Sequence, residues 1–343
     1  MTSVYLTIDT EYAAHLPGAN GTPGTRADNF ARSIACETAA GAVGIFHQMD
    51  VLDAHGLKAV FFVDPMPALL WGVAAIEDVV GPIVARGHDV QLHCHTEWLE
   101  YAAGTPLANL GSGRNLNDFT LHDQRTIIGF ARDTLIAAGA PPPVAFRAGN
   151  YGANDDTLLA LAELGIAYDT SHCPALAGRG ACAISLGPDD LRPVAHRGVI
   201  EVPAACLESF RGKLRHGQLT ALSFRELVAA VRHARDEEIA SVTLVSHSFE
   251  LLSRDRQRIN RLVARRFARL CAAIAEMPGV STATYASRPP VPEPNRTSLS
   301  CLPHDPLRGG MRMIEQAVSN AFYSRPLRTG TQQALAIGAV LLT

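Results

Sequence analysis

Aromatic side chains are scarce: Phe, Tyr and Trp together make up 6% of the chain, so a core must be built mainly from Ala, Leu, Val and Ile. A basic surplus is missing too. Lys and Arg number 30 against 33 Asp and Glu, a net charge of −3, which argues against a nucleic-acid partner bound by neutralising its phosphates. The arginine-rich run with Arg256, Arg258, Arg261, Arg265 and Arg266 reads as the solvated face of a helix. No Cys-x-x-Cys pair occurs. Seven cysteines, an odd number without regular spacing, suit the reduced thiols of a cytoplasmic protein better than a disulfide framework. The apolar run from Ala334 to Leu342 is too short to span a bilayer, so no integral membrane segment is expected. The start, Met1-Thr-Ser-Val-Tyr-Leu-Thr-Ile-Asp9, enters a strand at once, without the basic and apolar regions of a signal peptide. Oligomeric state is not legible.

What the chain does have is length and alternation. Its 343 residues, 47% of them hydrophobic, can bury a sizeable core. Short apolar strands are expected near Val4 to Ile8, Ala59 to Val63, Asp89 to His93, Val144 to Phe146, Ile166 to Tyr168, Val199 to Val202, Val242 to Val245 and Ser281 to Tyr285. Apolar residues at three-to-four spacing predict helices over Ala39 to His55, Gln124 to Ala138, Asp155 to Leu164, Phe224 to Arg235 and Arg258 to Glu276. Gly56, Gly139 and Gly165 follow three of them as C-caps. Repeated βα units imply a parallel sheet, more naturally closed into a barrel than left open. The Pro-rich segment from Arg288 ends the alternation. The expected division is a barrel over residues 1–290 and a linker with a C-terminal tail over residues 291–343. Two long polar connections, Ala13 to Cys36 and Leu99 to Phe119, are candidates for shaping a cleft.

The candidate chemistry sits at strand ends. Thr7-Ile-Asp-Thr-Glu11 places Asp9 and Glu11 two apart, on one side of an extended segment. Gly87-His-Asp-Val-Gln-Leu-His93, continuing through Cys94 to His95, gives two imidazoles the same period while Cys94 points away. Two imidazoles and a carboxylate at the C-terminal ends of neighbouring strands suit a catalytic divalent metal with an open position, Zn²⁺ first, with Co²⁺, Ni²⁺ or Fe²⁺ as alternatives. His88, at a strand start far from that end, reads as structural.

These segments, together with Lys58-Ala-Val-Phe-Phe-Val63, Phe146-Arg-Ala-Gly-Asn-Tyr-Gly152 and Leu244-Val-Ser-His247, occur in the order of the motifs of carbohydrate esterase family four. From about residue 3 to 285 the chain resembles these NodB-type polysaccharide deacetylases, and within them a divergent WalW-like branch. The resemblance implies an α/β fold, a distorted (β/α)7-type barrel with a short C-terminal appendage, and metal-dependent removal of an N-acetyl or similar acyl group from a sugar or glycan precursor. It implies that Asp9 is the general base that activates water, that His93 is a metal ligand, and that His247 is the general acid. Arg147 would hold the base, and a backbone N–H near Asn150 or Tyr151 would donate to the oxyanion. The chain departs from the family pattern at three places. The usual second acid of the first motif is Thr10, which leaves Asp9 or Glu11 to join His93 and His95. The last His of His-x-x-x-His is Glu97, a further ligand candidate. Gly149-Asn150 stands where a proline is common.

Other candidates are Asp169 and His172, which could line the pocket or serve a helix start or turn, and Trp98 and Tyr101, which could stack on a sugar or fill the core. Two rival readings exist. One is another barrel-type metal hydrolase acting on a non-peptide C–N bond or phosphoester, although its His-x-His pair would end the first strand. The other is a catalytically silent carbohydrate-binding relative, although Asp9, Arg147 and His247 together have no use there.

Overall fold

A computed structural model describes residues 1–16, 22–111, 113–293 and 301–323. The chain opens with β1 (Thr2–Thr10), buried along its whole length, then α1 (Arg26–Asn29), a short hairpin of β2 (Glu37–Thr38) and β3 (Gly41–Ala42), and α2 (Ile45–Ala54). There follow β4 (Val60–Val63), α3 (Ala68–Trp71), α4 (Ala74–Ala85), β5 (Asp89–Cys94), α5 (Leu121–Ala137), β6 (Ala145–Ala148) and α6 (Asp155–Glu163). The third part holds β7 (Tyr168–Asp169), β8 (Val194–His196), β9 (Val199–Glu201), a hairpin of β10 (Cys206–Glu208) and β11 (Leu214–His216), and α7 (Phe224–Asp236). It ends with β12 (Ser241–His247), α8 (Arg261–Ala275), β13 (Val280–Thr282) and α9 (Pro306–Tyr323).

The main sheet runs β12-β1-β4-β5-β6-β7-β9-β8, with β13 beside the start of β1. Its pairs are parallel except β8 with β9. Beyond β9 the ladder gives way to single links: Ala205 N–H donates to the Thr243 carbonyl at 2.9 Å, and Val245 N–H to the Gly217 carbonyl at 3.0 Å. The sheet therefore curls into a barrel closed by irregular backbone, the distorted (β/α) barrel expected. The period of two sorts each strand. Val4, Leu6 and Ile8 pack outward with the helices, whereas Tyr5 joins Val60, Phe62, Ala145 and Val202 in a second, inner cluster. Thr7 and Asp9 share the inner side with Tyr5.

All eight expected strands are present within a few residues, and Gly56, Gly139 and Gly165 have φ of 66°, 91° and 76°, as C-caps require. The helix expected from Ala39 starts only at Ile45. The β2–β3 hairpin takes the preceding residues, and a side chain at Gly44 would strike the Ile34 carbonyl. Helix α4 escaped notice because Gly81 and Pro82 lie inside it.

The arginine run is not one solvated face. Helix α8 begins at Arg261, capped by Asn260, so Arg256 and Arg258 lie in the loop before it. The helical period then turns Arg266 inward beside Val263, Phe267 and Leu270, leaving Arg261 and Arg265 exposed. Arg266 is paired with Glu315 of α9 at 2.8 Å, and Arg312 of α9 with buried Glu226 of α7 at 3.2 Å. Glu208 N–H also donates to the Leu302 carbonyl at 2.9 Å. Residues 301–323 are thus docked on the barrel. Ala334 to Leu342 lies outside the described residues, among which no helix is long and apolar enough to cross a membrane.

Candidate active site

The inner faces of β1, β5, β6 and β12 converge at their C-terminal ends, where barrels of this kind carry their chemistry. The register sets Asp9 beside His247 and His93 beside Arg147. Arg147, 1% exposed, donates from Nη1 to Asp9 Oδ1 at 2.6 Å and to the Thr7 hydroxyl at 2.9 Å, and its guanidinium lies 4.4 Å over the Phe62 ring. One oxygen of Asp9 is so fixed. The other, Oδ2, faces His247 Nε2 at 3.8 Å.

Glu11, His93 and His95 form a second group, with one ligand atom from each lying within 4.8 Å of the others. Glu11 Oε2 is 2.6 Å from His95 Nε2 and 3.3 Å from His93 Nε2, yet it is buried without a hydrogen bond of acceptable angle. The imidazoles are locked from behind. His93 Nδ1 donates to the Arg147 carbonyl at 2.7 Å, and His95 Nδ1 donates to Glu97 Oε2 at 3.0 Å. A carbonyl only accepts, so the His93 proton is on Nδ1 and the Nε2 lone pair points at Glu11. An orphaned carboxylate oxygen facing two such lone pairs is a donor set that fits a divalent metal.

Glu97 stands behind His95 and is not brought into the group of three. Asn150 and Tyr151 turn sharply after β6 with φ of 57° and 55°, and the Tyr151 hydroxyl is buried without a partner. Gly149 is required there, because a Cβ would come within 2.7 Å of the His95 ring.

Asp169 and His172 do not line a pocket: both are 0% exposed. Asp169 accepts from the Ser171 N–H and hydroxyl and is the register partner of Glu201 across the β7–β9 ladder. Burial and then Asp169 push the Glu201 carboxyl well up, so it keeps a proton to share. His172 Nε2 bonds the Gly187 carbonyl. The Asp-Thr-Ser-His segment serves as the turn that was its other reading. Trp98 is 1% exposed, 5.3 Å from Trp71 and 5.9 Å from Tyr101, in the core place that was its other reading. Cys94 is buried, which pushes its thiol well up and leaves it inert. His88 is buried with Nδ1 accepting from Ala59 N–H, a structural place.

Three further residues belong to the site. Glu250 lies behind His247, its Oε1 3.7 Å from Nδ1, and accepts from Gln218, from Thr220 at 2.6 Å and from Ser246 at 2.9 Å. Burial opposes a charge on His247, but Glu250, Asp9 and Glu11 prevail and raise it to about 9. Asp64 ends β4 and accepts from Met66 N–H at 3.1 Å and His95 N–H at 3.4 Å; burial pushes its carboxyl up to about 7. Its signal was available, an acid ending the strand Val60-Phe-Phe-Val63. Arg256 lines a cavity of about 320 Å³ in front of Glu11 and His95, bounded also by Tyr12, Glu97 and Trp98.

No protein-family model matches the chain, and no curated protein matches it. Solved structures do. A Mycobacterium smegmatis protein described as a polysaccharide deacetylase is 17% identical with a TM-score of 0.50, over 96% of this chain and 94% of that one. The family 4 carbohydrate esterase from Streptomyces lividans is 12% identical with a TM-score of 0.41, over 89% and 98%. The 4-alpha-glucanotransferase from Thermococcus litoralis is 11% identical with a TM-score of 0.48, over 83% of this chain and 39% of that one. Identities this low single out no branch, WalW-like or other. The first of the three, at a TM-score of 0.50, establishes the fold: a mixed α/β chain whose curled sheet matches the barrel of that described deacetylase.

Proposed function

We propose that this protein is a metal-dependent hydrolase that removes an N-acetyl or similar acyl group from a sugar or glycan precursor. The observation that carries the reading is the Glu11–His93–His95 group set beside an Arg-locked Asp9 and a cationic His247. The substrate class rests on the motif order and on the fold shared with a described polysaccharide deacetylase. An intracellular precursor is favoured because all seven cysteines stand as free thiols. A divalent ion held by Glu11, His93 and His95, Zn²⁺ first, would polarise the acyl oxygen and acidify water.

The chain's own residues do the rest. Asp9 Oδ2 takes the proton of the attacking water, while Arg147, buried beside it, holds Oδ1 in place. His247 Nε2, on the other side of the gap, gives its proton to the departing amine. The N–H groups of the left-handed Asn150–Tyr151 turn are assigned to the developing oxyanion. Glu97 and the Arg147 carbonyl keep both imidazoles in the ligating tautomer.

The test is acetate release from N-acetylated sugars by the metal-loaded protein, with Asp9→Asn alongside. Asn keeps the shape and cannot take a proton, so turnover should fall by about 10²-fold or more while metal content stays close to wild type. Full activity in Asp9→Asn would refute the base assignment.

A further inference from the structure

The cavity before Glu11 and His95 has one cationic wall. Arg256 sits in the loop between β12 and α8 at φ 55°, a conformation that a residue with a Cβ adopts at a cost. The loop is braced to hold it there. Arg256 N–H donates to the Ser253 carbonyl at 2.8 Å, Gln257 N–H to Asp255 Oδ1 at 3.1 Å, and Arg258 N–H to the Ser253 hydroxyl at 3.0 Å. The side chain is clamped as well. Its guanidinium lies 4.1 Å over the Phe249 ring, and Nη1 donates to the Ser33 hydroxyl at 2.8 Å. Both contact partners are neutral, and Glu11 acts on the guanidinium only through its field, which leaves the remaining donors of the planar fork to the cavity it lines.

The other charges along this wall are already used. Glu97 is taken by His95, and Glu11 faces the two imidazole Nε2 atoms. Exposed His15 stands at the same wall. We infer that Arg256 is an anion anchor, and that the substrate therefore carries a carboxylate or phosphate group next to the acyl group hydrolysed at the Glu11–His93–His95 end of the cavity. The inference rests on the hydrolase reading and narrows its substrate class from acylated sugars to anionic ones.

Three probes differ in this feature: N-acetylglucosamine, which is neutral, N-acetylmuramic acid, which adds a carboxylate, and N-acetylglucosamine 1-phosphate. The metal-loaded wild type should favour one of the charged probes in kcat/KM over the neutral one. Arg256→Gln should reduce that preference about 10- to 100-fold, the size of a lost charge-assisted contact, chiefly through KM. Arg256→Lys should recover part of it. The charged probe preferred by wild type tells carboxylate from phosphate. Failure of the hydrolase reading shows separately, as no acetate from any probe; calorimetric titration of the same probes into the same proteins then carries the test. Tighter binding of a charged probe, lost in Arg256→Gln, supports the anchor. No preference for the charged probes, or a preference equal in wild type and Arg256→Gln, overturns it.

Discussion

Each acid–base residue of the site is set by its neighbours. Asp9 is held in place by Arg147, buried with it, and His247 is raised against burial by Glu250 behind it, with Asp9 and Glu11 adding to the effect. Glu250 should act through His247 and not on substrate, which a pH profile can separate from a structural role. A general acid works only while protonated, so activity should fall as the pH rises through the His247 value of about 9. In Glu250→Gln the carboxylate that raises that value is gone, and the alkaline limb should move down toward the ordinary histidine range of about 6.5, with fold and metal content kept. An unmoved limb with lower activity throughout would make Glu250 merely structural. At this scale the motifs made Asp9, Glu11, His93, His95, Arg147 and His247 legible. Asp64 was passed over although it directly follows β4, Arg256 was read as part of a solvated helix face, and Glu250 was not read because a carboxylate three residues after a strand announces nothing until the fold sets it against its partner.

At the scale of elements, the ends of β5 and β6 are shaped around each other. Gly149 follows β6 and leaves room for the His95 ring, which follows β5. Gly149→Ala should push the ring off the Glu11 oxygen: metal affinity should drop by at least about tenfold, the scale of a disturbed ligand shell, while the far-ultraviolet dichroism of the folded chain is unchanged. Affinity equal to wild type would mean that the ring has freedom the structure does not suggest. The strands themselves were readable because β-branched and apolar residues fill both faces, as in β1. The β10–β11 hairpin was not legible, since strands of three residues carry no periodicity. For Trp98, Asp169 and His172 the sequence left pocket and core or turn open for one reason: it shows that a residue lies at a strand end, not whether the next turn carries it over the cleft or under it.

For the whole molecule, the C-terminal part behaves as a brace. Helix α9 reaches α7 through Arg312–Glu226 and α8 through Arg266–Glu315, and Asn260, the α8 cap, also donates to Ser319 at 3.1 Å. Glu226 additionally completes the capping box of α7 with Ser223. Glu226→Ala therefore strands a buried guanidinium and removes a cap, and urea unfolding should show a loss of about 3–5 kcal/mol. An appendage that contributed nothing would leave only the cap, about 1 kcal/mol. None of this could be read from composition, because the Pro-rich stretch after Arg288 marks a break in periodicity whether the following helix docks or not.

The reading as a whole stands on the metal group, so the most direct measurement is elemental analysis of protein purified without chelator and reconstituted with Zn²⁺, Co²⁺, Ni²⁺ or Fe²⁺. About one ion per chain is expected in wild type, lost in Glu11→Gln and in the His93→Ala/His95→Ala double variant and largely kept in Glu97→Ala, whose carboxylate only orients His95. No ion in wild type under any of these conditions, or one that survives loss of both imidazoles, would contradict the assignment of Glu11, His93 and His95 as the metal centre.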